Sequence, residues 1–301
     1  MTEDRGPTGR PRGEDGRVRR LRTRFRPRTR PRFEGQSFNR LIPNLMTMLG
    51  LCCGLVAIRF AFEGRFEQAA VLIVVAGVID GLDGRLARLL KATSRFGAEF
   101  DSLSDFLCFG VAPGLILYFW TMQEWRGWGF APCLLFAVCM ALRLARFNAA
   151  LDVGPVVKPA YAYNFFTGVP APAGAGCVLF PLFLGLWFAQ TDWPLLASAV
   201  RHPAFVGIVM VTVAALTIST LPTWSFKNFK VPRHIVLPLL VGTGLFAALL
   251  LAEPWAALAM AGVFYLGMLP FSVRSYLRLK REAEGMMEPV VVAEGPRSGA
   301  A

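Results

Sequence analysis

The chain has 301 residues, of which 54% are hydrophobic and 17% charged, and its mean hydropathy is +0.48. That balance excludes an ordinary soluble domain, where about a quarter of the residues are charged. Net charge is +12 at pH 7, and six cysteines without a Cys-x-x-Cys pair exclude a zinc module or a disulfide framework.

Residues 1–37 are rich in Arg, Pro and Gly, with runs such as Arg17-Val18-Arg19-Arg20 and Arg22-Thr23-Arg24-Phe25-Arg26. The segment has almost no aliphatic periodicity and reads as a disordered basic tail. It is not a signal peptide, because no apolar core follows at the usual distance. It reads as a positive-inside anchor that also touches anionic lipid. A nucleic-acid partner is not expected, since nothing nearby supplies a reading fold.

From residue 38 the chain turns apolar. Stretches of about 20 residues, long enough to cross a bilayer, recur near 41–62, 67–90, 99–122, 128–149, 168–188, 203–222, 234–252 and 255–273. The expected fold is all-α: a polytopic helical membrane protein with about eight spans. Its membrane domain would cover 38–276 and a C-terminal tail 277–301. Cys52, Cys53, Cys108, Cys133, Cys139 and Cys177 fall inside these spans and read as small packing residues. His202 and His234 fall at opposite membrane edges, where they cannot share a metal. Trp125, Trp128 and Trp193 read as interfacial anchors.

Basic residues gather after alternate spans: Lys91 and Arg95; Arg143, Arg146 and Lys158; Lys227, Lys230 and Arg233; then Arg274, Arg278, Lys280 and Arg281. With the tail inside, an even number of spans puts both termini and every basic loop on the cytoplasmic side. The expected location is the cell membrane, multi-pass.

Within this apolar sequence stand Asp80, Asp83, Asp101 and Asp105. A carboxylate at the centre of a membrane helix costs on the order of 3 kcal/mol. On helices, Asp80 and Asp83 (i, i+3) share a face, and so do Asp101 and Asp105 (i, i+4). Two such faces opposed make an oxygen-rich cage suited to Mg²⁺ or a similar hard cation. Small residues at Gly77, Gly81, Gly84 and Ala87 let a backbone or ligand approach. Arg88, one turn beyond Gly84, is placed to meet a phosphate held there. Two other readings stand beside this one. The acids could pair with Arg85, Arg88 and Arg95 in buried salt bridges, or serve a cation-coupled transporter. Transport acids, however, tend to lie near the bilayer midplane, whereas these sit at a basic membrane edge.

The string Asp80-x2-Asp83-Gly84-x2-Ala87-Arg88-x8-Gly97-x3-Asp101-x3-Asp105 resembles, at every fixed position, the signature of the CDP-alcohol phosphatidyltransferase family. Three further stretches carry the resemblance toward its serine-using, membrane-embedded branch: Phe100 to Asp105 running on to Phe109-Gly110-Val111-Ala112-Pro113, Arg143 to Asn148, and Phe166 to Ala173. The likeness covers roughly residues 38–185. It implies transfer of the phosphatidyl group of CDP-diacylglycerol to L-serine with release of CMP. The same chemistry with glycerol 3-phosphate or an inositol phosphate is the nearest alternative. Asp80, Asp83, Asp101 and Asp105 are then similar to ligands of two divalent cations, Mg²⁺ or Mn²⁺, and Asp105 also to the general base. Gly84, Arg88 and Ser94 match positions that hold the nucleotide and its phosphates. Pro43 and Asn44 match a segment of the nucleotide pocket, although Asn44 is equally placed to cap a helix start. Arg143, Arg146 and Asn148 are candidates for the acceptor site, and Tyr161, Tyr163 and Asn164 for its cover. The irregular Gly168–Gly176 stretch would border it. The resemblance also implies a homodimer.

Overall fold

A computed structural model describes residues 38–152, 165–191, 193–224 and 233–285. The Arg-rich tail, Lys158, Tyr161, Tyr163, Asn164, Lys227 and Lys230, and residues 286–301 lie outside the described residues, as do the side chains of Arg233 and His234.

The described chain is a helical bundle. Helices α1 (Phe38–Phe62) and α2 (Phe66–Leu89) pack along each other through small residues, with Ala57, Ala61, Ala69 and Ala70 all but fully buried. Then α3 (Arg95–Asp105), a π-helical turn (Phe106–Val111) and α4 (Ala112–Trp120) form one continuous rod. The π turn has a local cause. Pro113 has no N–H for the carbonyl four residues back, and its ring crowds that carbonyl, so the preceding turn widens. Gly54 on α1 makes room for the turn: a Cβ there would lie 2.6 Å from the Cys108 sulfur.

A short 3₁₀ segment (Met122–Gly129) leads into α5 (Phe130–Asp152). Next come α6 (Ala171–Val178) and α7 (Phe180–Gln190), bent 43° at Pro181, then α8 (Pro194–Arg201) and α9 (Pro203–Ile218), bent 53° at Pro203. Helices α10 (Arg233–Ala252) and α11 (Pro254–Gly285) complete the bundle. The core is closed by Phe109, Phe136, Ile116, Leu117, Met140 and Met210, each fully buried.

Five described helices are long and apolar enough to span a membrane, or seven if each bent pair is one span. Helix α2 is not among them because it carries Asp80, Asp83, Arg85 and Arg88. It runs 24 residues, long enough to cross, and counting it brings the total to the eight expected from the sequence. The protein is thus a multi-pass membrane protein. All six cysteines are free.

Three features depart from an unbroken set of spans. The fifth and sixth are broken at prolines, and the third carries the π turn. In addition, β1 (Phe165–Thr167) pairs antiparallel with β2 (Pro222–Trp224), Phe166 opposite Thr223. Gly168, at the end of β1, has φ +76° and donates its N–H to the Leu221 carbonyl. A Cβ there would meet the Ser219 carbonyl at 2.7 Å, so glycine is required on both counts.

Candidate active site

The site gathers at one end of the bundle, where α2 ends, α3 begins and α5 ends. Ser94 opens α3 as its N-cap, its hydroxyl accepting the Gly97 N–H at 3.0 Å. A cap of this kind fixes where the helix begins, and so sets the face on which Asp101 and Asp105 emerge. The structure brings Asp80, Asp101 and Asp105 together, with one carboxylate oxygen of each within 4.8 Å of the others. Asp83 lines the same cleft, one turn along α2, and is only 4% exposed. Its partner is Thr47 on α1, whose hydroxyl lies 2.8 Å from Asp83 Oδ2 and 3.1 Å from the Pro43 carbonyl. The cleft is small, about 10 Å³, room for about one water-sized group. Buried Ser104 completes the wall, its hydroxyl 3.4 Å from the Thr47 carbonyl.

Among the described residues none of the four aspartates forms an ion pair; pairs occur elsewhere, such as Arg59–Glu63, Arg65–Glu63 and Arg278–Glu282. Salt bridging by Arg85, Arg88 and Arg95 therefore does not account for the cluster. Three or four carboxylates facing one another with no cation at bonding distance form a donor set that fits a divalent metal: hard oxygen ligands, helically fixed and partly buried. Arg143 on α5 is the cation whose field reaches Asp105, although it does not close to ion-pair distance.

The residues expected on the nucleotide side lie near this cleft. Arg88 Nε donates to the Gly84 carbonyl at 2.9 Å, which holds the guanidinium over Gly84 and leaves its terminal nitrogens available. A Cβ at Gly84 would meet nothing within 4 Å, so the space above it is open. Asn44 is not a helix-start cap, because α1 begins six residues earlier at Phe38. Its side chain instead reaches the α3 entrance, where a Cβ on Gly97 would touch Asn44 Oδ1 at 3.0 Å and Ser94 Oγ at 3.1 Å. Pro43 is buried beside Thr47.

On the acceptor side the three candidates separate. Arg146 donates to the Ile218 and Ser219 carbonyls at 3.0 and 3.2 Å, closing the C-terminal end of α9. Asn148 Oδ1 accepts the Ser102 hydroxyl at 3.1 Å, tying α5 to α3. Only Arg143 of the three keeps a buried polar atom, Nε, without a partner. Thr47 and Ser102 were not singled out in the sequence. A lone hydroxyl in an apolar helix usually bonds its own i−4 carbonyl, and no spacing rule reveals that it also serves a carboxylate or amide elsewhere.

The model of the CDP-alcohol phosphatidyltransferase family matches residues 40–219, and that of CDP-alcohol phosphatidyltransferase 2 matches 234–270. The chain is 39% identical over 244 residues to a Mycobacterium bovis protein named CDP-diacylglycerol–serine O-phosphatidyltransferase, covering 81% of this chain and 82% of that one. A Helicobacter pylori protein of the same name is 34% identical over 226 residues, covering 75% and 88% respectively. An archaetidylserine synthase of Methanothermobacter thermautotrophicus is 34% identical over 139 residues, covering 44% of this chain and 54% of that one. With the family model matched across the aspartate cleft and the helices that build it, the chain belongs to the CDP-alcohol phosphatidyltransferase family.

Proposed function

We propose that the protein is a phosphatidylserine synthase, which transfers the phosphatidyl group of CDP-diacylglycerol to the hydroxyl of L-serine and releases CMP. The observation that carries the reading is the convergence of Asp80, Asp101 and Asp105 beside Arg143. The serine-using relatives named above support the choice of acceptor.

In this reading the serine oxygen forms a bond to the lipid-bearing phosphorus, and the bond from that phosphorus to the bridging oxygen breaks. The electron pair leaves with CMP. Asp105 takes the serine proton, as a carboxylate at the junction of α3 and the π turn can do for a hydroxyl held against it. Two divalent cations, Mg²⁺ or Mn²⁺, held by Asp80, Asp83, Asp101 and Asp105, would supply positive charge to the pyrophosphate oxygens. Arg88, pinned over Gly84, offers its terminal nitrogens to a phosphate. Ser94, Pro43 and Asn44 border the nucleotide at the α3 entrance. Arg143 receives the serine carboxylate, while Arg146 and Asn148 hold α5 in register against α9 and α3.

The site faces the cytoplasm of a cell membrane with both termini on that side, which the basic loops support. The working unit is a homodimer, tested by cross-linking in detergent. A cation-coupled transporter is not favoured by the family.

The assay follows CMP release by purified protein with CDP-diacylglycerol and Mg²⁺ or Mn²⁺, offering serine, glycerol 3-phosphate and inositol phosphate separately. Metal-dependent CMP release with serine is expected. Release with glycerol 3-phosphate but not serine would overturn the choice of acceptor.

A further inference from the structure

Among the described residues, two buried side-chain polar atoms have no hydrogen-bond partner: Arg143 Nε and the Tyr265 hydroxyl. Buried donors left open are rare and costly, and each asks for an explanation. These two come from helices far apart in sequence, α5 and α11, yet each lies in the other's field. Arg143 also lies in the field of Asp105. Two polar neighbours are held elsewhere. Arg146 holds the end of α9, and the Thr223 hydroxyl, next to Tyr265, donates to the Gly168 carbonyl at 2.9 Å. The Tyr265 ring lines an apolar cavity of about 360 Å³ between α2, α6 and α11. Phe109 borders both that cavity and the aspartate cleft.

We infer that Tyr265 is a specificity-determining residue which, with Arg143, grips the carboxylate of the amino-acid acceptor. The inference rests on the serine reading above and adds a second donor from a different helix. A carboxylate offers two oxygens with about four lone-pair sites, so one can face the guanidinium and the other the phenol. In serine only three bonds separate the hydroxyl oxygen from the carboxylate carbon. A serine whose hydroxyl rests on Asp105 therefore holds its carboxylate close by, on the side where Arg143 acts. The donor's pyrophosphate belongs to the Gly84 and Arg88 side of the cleft. A site that hydrogen-bonds an acceptor's anion also rejects acceptors that lack it, since its buried donors are then left open.

The test compares wild type with Tyr265→Phe and Arg143→Lys, all full-length in detergent, using serine and serinol, the analogue without a carboxylate. Tyr265→Phe is expected to raise KM for serine about ten- to a hundredfold and to leave KM for CDP-diacylglycerol unchanged. The preference for serine over serinol should shrink, and Arg143→Lys, which removes the Nε–H, should shrink it too. Unchanged KM for serine overturns the inference. So does an equal loss with serine and serinol, or a rise in KM for CDP-diacylglycerol, which would place Tyr265 on the phosphate or in packing alone. A wild type that ignores serine and uses glycerol 3-phosphate overturns the serine reading and the inference with it. A wild type that uses serine alongside an indifferent Tyr265→Phe overturns the inference alone.

Discussion

Asp83 and Asp105 belong to one cleft but are held in different ways. Asp83 is nearly closed off and fixed by the Thr47 hydroxyl at 2.8 Å. Asp105 sits against two other carboxylates, with Arg143 near and no ion pair. The first is suited to holding a position and the second to changing protonation. Asp105→Asn keeps the shape and removes the proton acceptor. It should cut CMP release by at least about a hundredfold, the lower end of what a positioned base supplies, while CDP-diacylglycerol still binds in a direct binding assay. Equal loss of binding would assign the residue mainly to metal holding. The four aspartates were legible in the sequence because charge is conspicuous against an apolar background and helical spacing sorts it into faces. Thr47 and Tyr265 were not. A threonine and a tyrosine in membrane helices both have ordinary explanations, and only the fold brings Thr47 to the cleft and Tyr265 to the neighbouring cavity.

At the scale of elements, the ends of α5 and α9 are joined through Arg146 to the strand pair, with Gly168 at the crossing. Gly168→Ala combines a left-handed backbone, costing about 1–2 kcal/mol for a residue with a Cβ, with a contact at 2.7 Å. Thermal unfolding in detergent should show a clear loss of stability, and serine-dependent CMP release should fall with it. Gly242→Ala on α10, where a Cβ meets nothing within 4 Å, should leave the melting temperature almost unchanged or raise it slightly. An equal loss in both variants would show that the strand crossing has no special role. Most helix bounds were readable from hydropathy to within a few residues, but α8 fell outside the expected spans and α11 runs well past residue 273, to Gly285. The strand pair was not, because β1 and β2 are brought together by α9, and neither is long enough to show an alternating pattern. The π turn depends on Pro113 together with Gly54 of another helix, which leaves room for Cys108.

Across the whole molecule, one end carries the carboxylate cleft and the ends of α2 and α5. The opposite end carries the 3₁₀ segment and the α7–α8 connection, where Trp128 is 84% and Trp193 55% exposed. If the cleft faces the cytoplasm, an impermeant maleimide should label Trp128→Cys in cells with a permeable outer envelope. It should label Leu89→Cys, at a residue 79% exposed, only after lysis. Both variants need a background lacking Cys52 and Cys53, and the reverse pattern would invert the orientation. The result turns on α2, the one long described helix whose charged residues keep it from reading as a span. A census made by hydropathy alone passes over it and arrives at an odd number, which would strand Arg274, Arg278 and Arg281 across the bilayer from the start of α1. The same aspartates that are proposed to carry the chemistry thus decide the parity of the threading: leaving their helix out of the spans turns every later loop inside out.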